Sequence, residues 1–239
     1  MADKRDKLPT EASGRKEVDA FLRRVAMAPS PRQQGQRGRL IFAMDATASR
    51  EPTWDRACHI QAEMFEATDA LGGLDVQLVF YRGFRECKAS PWVSNTEDLR
   101  RRMTAVGCLA GHTQLRRVLK HTLAETAKRR VDALVFVGDC FEEDPDAVGH
   151  LAGELGLRGV PAFVFQEGDD PVARRMFGQV ARLTRGAYCR FDLSSAQQLK
   201  DLLGAVAVYA AGGRKALASY GGGRGQEVRQ ITAQLGRGK

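Results

Sequence analysis

Short apolar runs recur along the middle of the chain and predict buried β-strands. The clearest spans residues 40–44 and has no polar interruption. Similar, nearly unbroken runs occupy residues 76–81, 131–137, 160–165 and 186–191. Continuous apolar runs of this length are typical of strands buried on both faces, as in a parallel sheet covered by helices. A weaker segment at 87–93 contains Pro91, which predicts a position at the sheet edge.

Helical patterns separate these strands. Apolar spacing, capping residues and flanking glycine or proline predict helices at about 52–71, 96–103, 114–129, 146–157, 171–183 and 195–210. The pair Gly212 and Gly213 is predicted to end the last helix. Strands that alternate with helices predict a doubly wound α/β fold. We expect a mostly parallel, Rossmann-like sheet of about six strands with helices on both faces.

Positive charge is concentrated at the two ends of the chain. The net charge is +8, but residues 1–39 hold ten Lys or Arg against five Asp or Glu, and residues 212–239 hold six against one. We therefore predict a basic, largely disordered arm at 1–38, an α/β domain at 39–211 and a basic Gly/Arg-rich tail at 212–239. Within the arm, an amphipathic pattern at 14–28 predicts a short helix that packs on the domain or binds a partner.

The N-terminus and the cysteines favour a cytoplasmic protein. The first residues are charged, with no apolar run of the kind found in signal peptides. The longest uncharged apolar stretch, 202–213, is shorter than the roughly 20 residues of a membrane span. Five cysteines are scattered singly without a Cys-x-x-Cys pair, which favours reduced thiols. We expect a cytoplasmic location and no transmembrane segment.

Oxygen-bearing side chains follow the predicted strands at the points where they end. Asp45, Thr47 and Ser49 close the first strand in alternate positions, which places them on one side of an extended backbone. Asp139 follows the 131–137 strand, and Thr113 precedes a helix after a glycine-flanked loop. The C-terminal ends of parallel strands share one edge of a sheet, where ligands bind. Two carboxylates and three hydroxyls form a hard oxygen set suited to Mg²⁺, with water or a ligand completing an octahedron.

These motifs, in this order, resemble the von Willebrand factor A (VWA) family and its metal-ion-dependent adhesion site (MIDAS). That family has a strand ending in Asp-x-Ser-x-Ser, a Thr after a Gly-rich turn, and an Asp after a later strand. The matching segments here are Asp45-Ala-Thr47-Ala-Ser49, Gly111-His-Thr113 and Gly138-Asp139. The resemblance covers about residues 39–210. The chain departs from the family pattern by a Thr at 47, a His at 112 and a Cys at 140.

The resemblance implies a protein-interaction module rather than an enzyme. It implies a divalent cation, expected to be Mg²⁺ with Mn²⁺ and Ca²⁺ as alternatives. The implied metal ligands are Asp45, Thr47, Ser49, Thr113 and Asp139. An Asp or Glu of a partner protein would fill the remaining position on the cation, within a larger complex as for cytosolic members of the family. His112, Glu142 and Glu143 lie beside these residues in sequence and are candidates for a rim that touches the partner.

Other interpretations of the same residues stay open. The hydroxyls after Asp45 also suit the capping of a following helix, and the acidic residues after Asp139 suit a solvated loop. The basic tails predict salt-sensitive binding of nucleic acid or acidic surfaces, with the domain as scaffold. A metal-dependent hydrolase is a further alternative. The sequence contains no P-loop, no Gly-x-Ser-x-Gly elbow and no Gly-x-Gly-x-x-Gly after the first strand.

Overall fold

Strands and helices alternate along the chain in the order that the sequence predicts. The structure, a computed structural model, describes residues 20, 21, 23–25, 37–51, 54, 55, 59, 66, 73–191 and 196–223. Its strands are β1 Gly38–Asp45, β2 Leu74–Arg82, β3 Glu86–Ala89, β4 Ala133–Gly138, β5 Ala162–Glu167 and β6 Ala187–Phe191. Its helices are α1 Thr96–Thr104, α2 Leu115–Lys128, α3 Pro145–Leu157, α4 Pro171–Leu183 and α5 Ala196–Gly223. A 3₁₀ turn at Ala48–Arg50 follows β1.

The six strands form a single sheet in the order β3-β2-β1-β4-β5-β6. Neighbouring strands are parallel except at the β3 edge, where β3 runs antiparallel to β2. The order of connections reverses between β1 and β4, so this pair forms the topological switch point where α/β sheets bind ligands. In the register of the sheet, Asp45 pairs with Tyr81, and Met44 pairs with both Phe80 and Val137. The C-terminal ends of β1 and β4 therefore lie side by side.

β1 separates two apolar layers. Leu40, Phe42 and Met44 pack with residues of α1 and α5 on one face. Ile41 and Ala43 pack with residues of α2, α3 and α4 on the other face. This alternation follows from the two-residue period of a strand. The doubly wound sheet with helices on both faces is therefore confirmed, and burial of every β1 residue explains its continuous apolar run.

The amphipathic segment before β1 packs on the domain. Residues 20, 21 and 23–25 are helical, and Phe21 and Val25 are fully buried. The centroid of the Phe21 ring lies 6.2 Å from that of Phe163 and 5.2 Å from that of Phe165. Of the two alternatives left open for this segment, the structure shows packing. The rest of the arm up to residue 36 lies outside the described residues.

The weaker predictions of secondary structure also have clear outcomes. The segment at 87–93 forms the edge strand β3 and an isolated bridge between Val76 and Val93. The predicted helix at 52–71 lies mostly outside the described residues, although residues 51, 54, 55, 59 and 66 are helical. Trp54, from this segment, is buried and donates through its Nε1 to the carbonyl of Met103 at 3.0 Å.

The prediction that Gly212 and Gly213 end the last helix is confirmed, but a second helical segment follows directly. The helical backbone of α5 breaks at Gly213, which has φ 69°, and resumes as far as Gly223. Beyond the break, Leu217 is buried, and Tyr220 packs against the same apolar layer as α5. The positive φ of Gly213 ends the first segment, and tertiary burial of these side chains stabilises the second one. The predicted basic tail therefore begins with residues that pack on the domain, and residues 224–239 lie outside the described part.

The N-terminal edge of the sheet holds a buried ion pair. Arg39 and Glu125 are only 6% and 7% exposed, and Arg39 Nη2 lies 3.4 Å from Glu125 Oε2. The guanidinium lies 3.8 Å over the centroid of the Trp92 ring and donates to the carbonyl of Arg129 at 2.6 Å. Trp92 Nε1 donates to Glu125 Oε2 at 2.9 Å. Burial opposes the ionisation of Glu125, but hydrogen bonds from Lys128 and Trp92 outweigh it and lower its pKa.

Two further findings concern the cysteines and the length of the helices. Cys87 and Cys140 carry free thiols, whereas Cys58 lies outside the described residues. Within the described part of the chain, every helix is too short or too polar to span a bilayer.

Candidate metal centre

A hydrogen-bonded turn after β1 orients three oxygen-bearing side chains. Asp45 ends the strand, and its Oδ1 accepts the amide of Thr47 at 2.8 Å. Aspartate side chains commonly bond the backbone two residues further on, which stabilises turns. The 3₁₀ turn then carries Ser49, whose Oγ lies 3.3 Å from Thr47 Oγ1. The three side chains are therefore grouped as their alternate spacing predicts, but a turn groups them rather than an extended strand.

Asp139 meets this turn from the neighbouring strand. It is the first residue after β4, and its Oδ2 accepts a hydrogen bond from Ser49 Oγ at 3.0 Å. Its other oxygen, Oδ1, accepts a hydrogen bond from Cys140 Sγ at 3.1 Å. Ser49 and Asp139 are 90 residues apart in sequence. They meet because β1 and β4 are adjacent where the direction of the connections reverses.

The backbone of the loop before α2 packs against two segments, the turn after β1 and the turn after β2. Leu109 donates its amide to the carbonyl of Ala46 at 3.0 Å, which ties the loop to the turn after β1. Gly111 passes so close to Gly83 that an added Cβ would lie 2.1 Å from the Gly83 carbonyl oxygen. A larger residue at 111 would therefore displace the loop, and the glycine of the predicted motif has a steric role.

Thr113 joins the set through Cys140. Its hydroxyl donates to the carbonyl of Cys140 at 2.9 Å and lies 3.9 Å from Cys140 Sγ. Cys140 in turn donates to Asp139. The structure thus brings all five predicted side chains to one edge of the sheet. Ser49 contacts both Thr47 and Asp139, Asp45 is linked through the amide of Thr47, and Thr113 is linked through Cys140.

The chemistry of this set fits a hard divalent cation. Asp45, Thr47 and Thr113 are 1%, 7% and 4% exposed. Burial strengthens the attraction between a carboxylate and a cation, because less water screens it. Among the described residues, no three His, Cys, Asp or Glu side chains gather into a metal cluster. An ion at this edge would therefore depend on two carboxylates completed by hydroxyls and water, which is the coordination that Mg²⁺ prefers.

The thiol of Cys140 borders the set in its protonated form. Burial, reinforced by the hydrogen bond and charge of Asp139, raises the pKa of Cys140 to about 12. Thiolates, not thiols, act as nucleophiles and metal ligands. Cys140 therefore serves as a hydrogen-bond donor to Asp139, and the hydroxyl and carboxylate oxygens are the available ligands.

Two of the three candidate rim residues lie at the opening of the site. His112 Nδ1 is 2.9 Å from Glu142 Oε2, and the two side chains are 58% and 44% exposed. The same glutamate oxygen accepts the amide of Thr113 at 3.3 Å. Glu143 instead turns to the start of α2, where both its oxygens accept the amide of Arg116 at 3.2 Å. Because both oxygens accept an amide from the first turn of α2, the clearest role of Glu143 is in capping that helix. Burial raises the pKa of its carboxyl group.

Two exposed apolar side chains beside the opening were absent from the sequence prediction. Phe84, in the turn between β2 and β3, is 73% exposed, and Leu109 is 51% exposed. The Phe84 ring centroid lies 5.1 Å from that of His112 with an interplanar angle of 61°. A large apolar residue in a turn is the sequence signal that identifies such positions.

Comparison with known proteins identifies the fold. No family model and no curated protein matches the chain. A von Willebrand factor type A structure from Catenulispora acidiphila aligns with a TM-score of 0.58 and 14% identity, over 72% of this chain and 43% of that one. The SpRpn10 VWA domain aligns with a TM-score of 0.55 and 12% identity, over 70% of this chain and 94% of that one.

A third structure is described as having a metal-occupied site. Proximal thread matrix protein 1 from the mussel byssus, with a zinc-occupied MIDAS motif, aligns with a TM-score of 0.53 and 13% identity, over 73% of this chain and 47% of that one. The chain thus spans less than half of the bacterial and mussel structures. The sheet order and these similarities establish that the chain has the fold of a VWA domain, as the motifs predicted.

Proposed function

We propose that this chain is a protein-interaction module that binds a divalent cation, Mg²⁺ in the cell, and through it an acidic residue of a partner protein. The ligands, direct or through water, are Asp45, Thr47, Ser49, Thr113 and Asp139. The VWA fold and the zinc-occupied MIDAS motif of one structural neighbour support this function. The observation that carries it is the meeting of the β1 and β4 loops, where the Ser49 hydroxyl lies 3.0 Å from the Asp139 carboxylate.

The charge of the ligand set explains the choice of partner. Two carboxylates roughly neutralise a 2+ ion, whereas the hydroxyls of Thr47, Ser49 and Thr113 add no charge. A third carboxylate, supplied from outside, is therefore still attracted to the cation. His112, Glu142 and Phe84 border the opening, so they touch the residues next to the partner's acid and contribute to specificity.

We propose binding rather than turnover at this site. A hydrolase that used a cysteine nucleophile would need a thiolate beside the cation. The Cys140 thiol holds its proton because its pKa is raised to about 12. In this proposal the protein acts in the cytoplasm within a larger complex, and the basic residues of the tails add salt-sensitive attraction to acidic surfaces.

Calorimetric titration with Mg²⁺ and Mn²⁺ after treatment with a chelator tests the cation site. Wild-type protein should show saturable heat for one site, and Asp45→Ala and Asp139→Asn should show none. Glu97→Ala is the control, because it removes an exposed carboxylate that lies away from the candidate metal centre. Glu97 is in the first turn of α1, which begins next to the N-terminal end of β2. Circular dichroism checks that each variant is folded. Equal heat in Asp45→Ala and wild type would contradict the proposed site.

The partner step has its own test. Proteins retained on the immobilised wild-type chain in Mg²⁺ should be released by a chelator, and a column carrying Asp139→Asn should not retain them. Retention that is identical on both columns would mean that binding occurs elsewhere on the molecule.

A further inference from the structure

A cleft of about 260 Å³ lies between the edge strand β3 and helix α2. Its rim on α2 carries Arg117 and Lys120, and its floor on the sheet includes Val79, Cys87 and Ala89. None of these residues belongs to the candidate metal centre or to its rim. The function proposed above leaves the cleft without a role.

The positive charge at the rim comes from helix α2. Lys88 also lines the cleft, but the alternation of β3 places its side chain with Phe80 on the opposite face of the sheet, where it lies 2.8 Å from Glu86. Arg117 donates to the carbonyl of Arg85 at 2.5 Å, which holds its guanidinium beside β3. Arg117 and Lys120 are exposed on α2. Within the described part of the chain, neither of these two side chains forms an ion pair with a carboxylate. The section between the basic ends of the chain has a small net negative charge, so this local excess of cations is distinctive.

The floor and back of the cleft are uncharged. Val79 is fully buried, and burial raises the pKa of Cys87 to about 11, which keeps this thiol neutral. At the back, His121 Nε2 lies 2.8 Å from Gln77 Oε1, and burial lowers the pKa of this histidine, so its ring is neutral at pH 7. An occupant would therefore place negative groups at the rim and an apolar group on the floor.

The lining favours a peptide over a nucleic acid. Single-stranded nucleic acids bind basic grooves in which aromatic side chains stack on the bases. The lining residues of this cleft contain no Phe, Tyr or Trp. Carboxylates can pair with lysine and arginine at the rim while an apolar side chain between them contacts Val79 and Ala89.

We propose that this cleft is a second binding site, which takes an acidic peptide segment of a protein partner. Carboxylates of the segment pair with Arg117 and Lys120, and an apolar side chain flanked by them packs on the floor. The cleft needs no cation, so it functions whether or not the candidate metal centre binds Mg²⁺.

Fluorescence anisotropy with the labelled peptide Ac-Glu-Glu-Leu-Glu-Glu, in the presence of a chelator, tests the cleft. Full-length wild-type protein should bind it, and salt should weaken the binding because it screens exposed charges. The double variant Arg117→Glu/Lys120→Glu should bind about tenfold more weakly or worse, since two attractive contacts become repulsive. The control is Arg175→Glu, which reverses the charge of an exposed side chain on α4 that does not line the cleft. It should bind like wild type, as should Asp139→Asn.

Three results would overturn the proposal. The first is equal affinity of the double variant and the Arg175→Glu control for the peptide. The second is equal affinity of wild type for Ac-Gln-Gln-Leu-Gln-Gln. The third is tighter binding of an oligothymidylate than of the peptide, lost in the double variant, which would identify a nucleic-acid site. If circular dichroism shows that the double variant is unfolded, Lys120→Gln provides the same comparison with a smaller change.

Discussion

The two edges of the sheet both bury charged groups, but they balance the charge differently. At the N-terminal edge, Arg39 and Glu125 are oppositely charged and lie 3.4 Å apart, so the balance is internal. At the C-terminal edge, Asp139 accepts hydrogen bonds from the hydroxyl of Ser49 and the thiol of Cys140. Neither donor carries positive charge. Among the described residues, no lysine or arginine pairs with Asp139.

This difference separates charges that serve the fold from charges that serve a ligand. Burying an ion is unfavourable unless another charge or several hydrogen bonds compensate it. Removing a charge from the N-terminal edge leaves its partner buried without compensation, so the free energy of unfolding should fall. Removing a carboxylate from the C-terminal edge reduces the repulsion between negative charges, so the affinity for the ligand should fall while the protein stays folded. The free energy of unfolding measures both effects on one scale.

The largest effect should come from Glu125→Gln at the N-terminal edge. Breaking a buried pair typically costs 3–5 kcal/mol, and we expect about 3 kcal/mol because Arg39 still donates to the carbonyl of Arg129. Urea denaturation measures this loss. The control is Lys128→Ala, which removes a 71% exposed partner of the same carboxylate and should cost at most about 1 kcal/mol. Equal losses in both variants would mean that burial of the pair is energetically unimportant.

The next largest effect concerns Mg²⁺ at the C-terminal edge. If the cation binds only the folded protein, free Mg²⁺ at about 100 times its Kd should stabilise wild type by about 2.7 kcal/mol. Asp139→Asn should gain nothing from Mg²⁺. In chelator, the same variant should match wild type to within about 0.5 kcal/mol. A large loss of stability in chelator would mean that Asp139 serves the fold, which would remove the contrast between the edges.

Acid should weaken the N-terminal edge in a predictable direction. Hydrogen bonds outweigh burial and lower the pKa of Glu125 in the folded state. Its contribution to stability is therefore present above its unfolded pKa of about 4.3 and is lost as the pH falls through the folded value. In chelator, Glu125→Gln should flatten the acid-induced fall in the free energy of unfolding below about pH 4. The exposed control Glu97→Gln should follow wild type, and a parallel curve for Glu125→Gln would contradict the mechanism.

The smallest effect should come from Thr113→Val. This change removes the donor to the Cys140 carbonyl at 2.9 Å, and we expect a loss of about 1 kcal/mol in chelator. Thr126→Val is the control, because that hydroxyl donates to a carbonyl of its own helix at 2.7 Å. Thr113→Val should also reduce the stabilisation by Mg²⁺, whereas Thr113→Ser should retain it. Full stabilisation of Thr113→Val by Mg²⁺ would exclude this hydroxyl as a ligand.

Much of the scaffold was predictable from residue patterns alone. The unbroken apolar run at 40–44 identified β1 because both faces of that strand are buried. The polar residues that end the run identified the edge where Asp45 and Ser49 lie. The glycine-flanked loop before Thr113 was also visible in the sequence, whereas the reason for Gly111, its close approach to Gly83, is a tertiary contact.

Other features depended on contacts between distant segments. The helical backbone resumes after Gly213 because Leu217 finds a buried position on the domain, which the two adjacent glycines gave no reason to expect. Glu142 and Glu143 are adjacent and chemically identical. The structure sends one to the opening of the site and the other to the amide of Arg116, because the loop turns between them.

The sequence by itself determined which segments are strands and helices and which oxygen-bearing residues follow them. Strand period, capping and apolar runs act over a few residues and can be recognised without the fold. Only the tertiary structure decided that β1 and β4 are neighbours, so that Ser49 lies 3.0 Å from Asp139, and that Arg117 and Lys120 lie beside Val79 and Cys87 in one cleft. Strand order and helix placement result from packing of the whole core, and no local pattern encodes them.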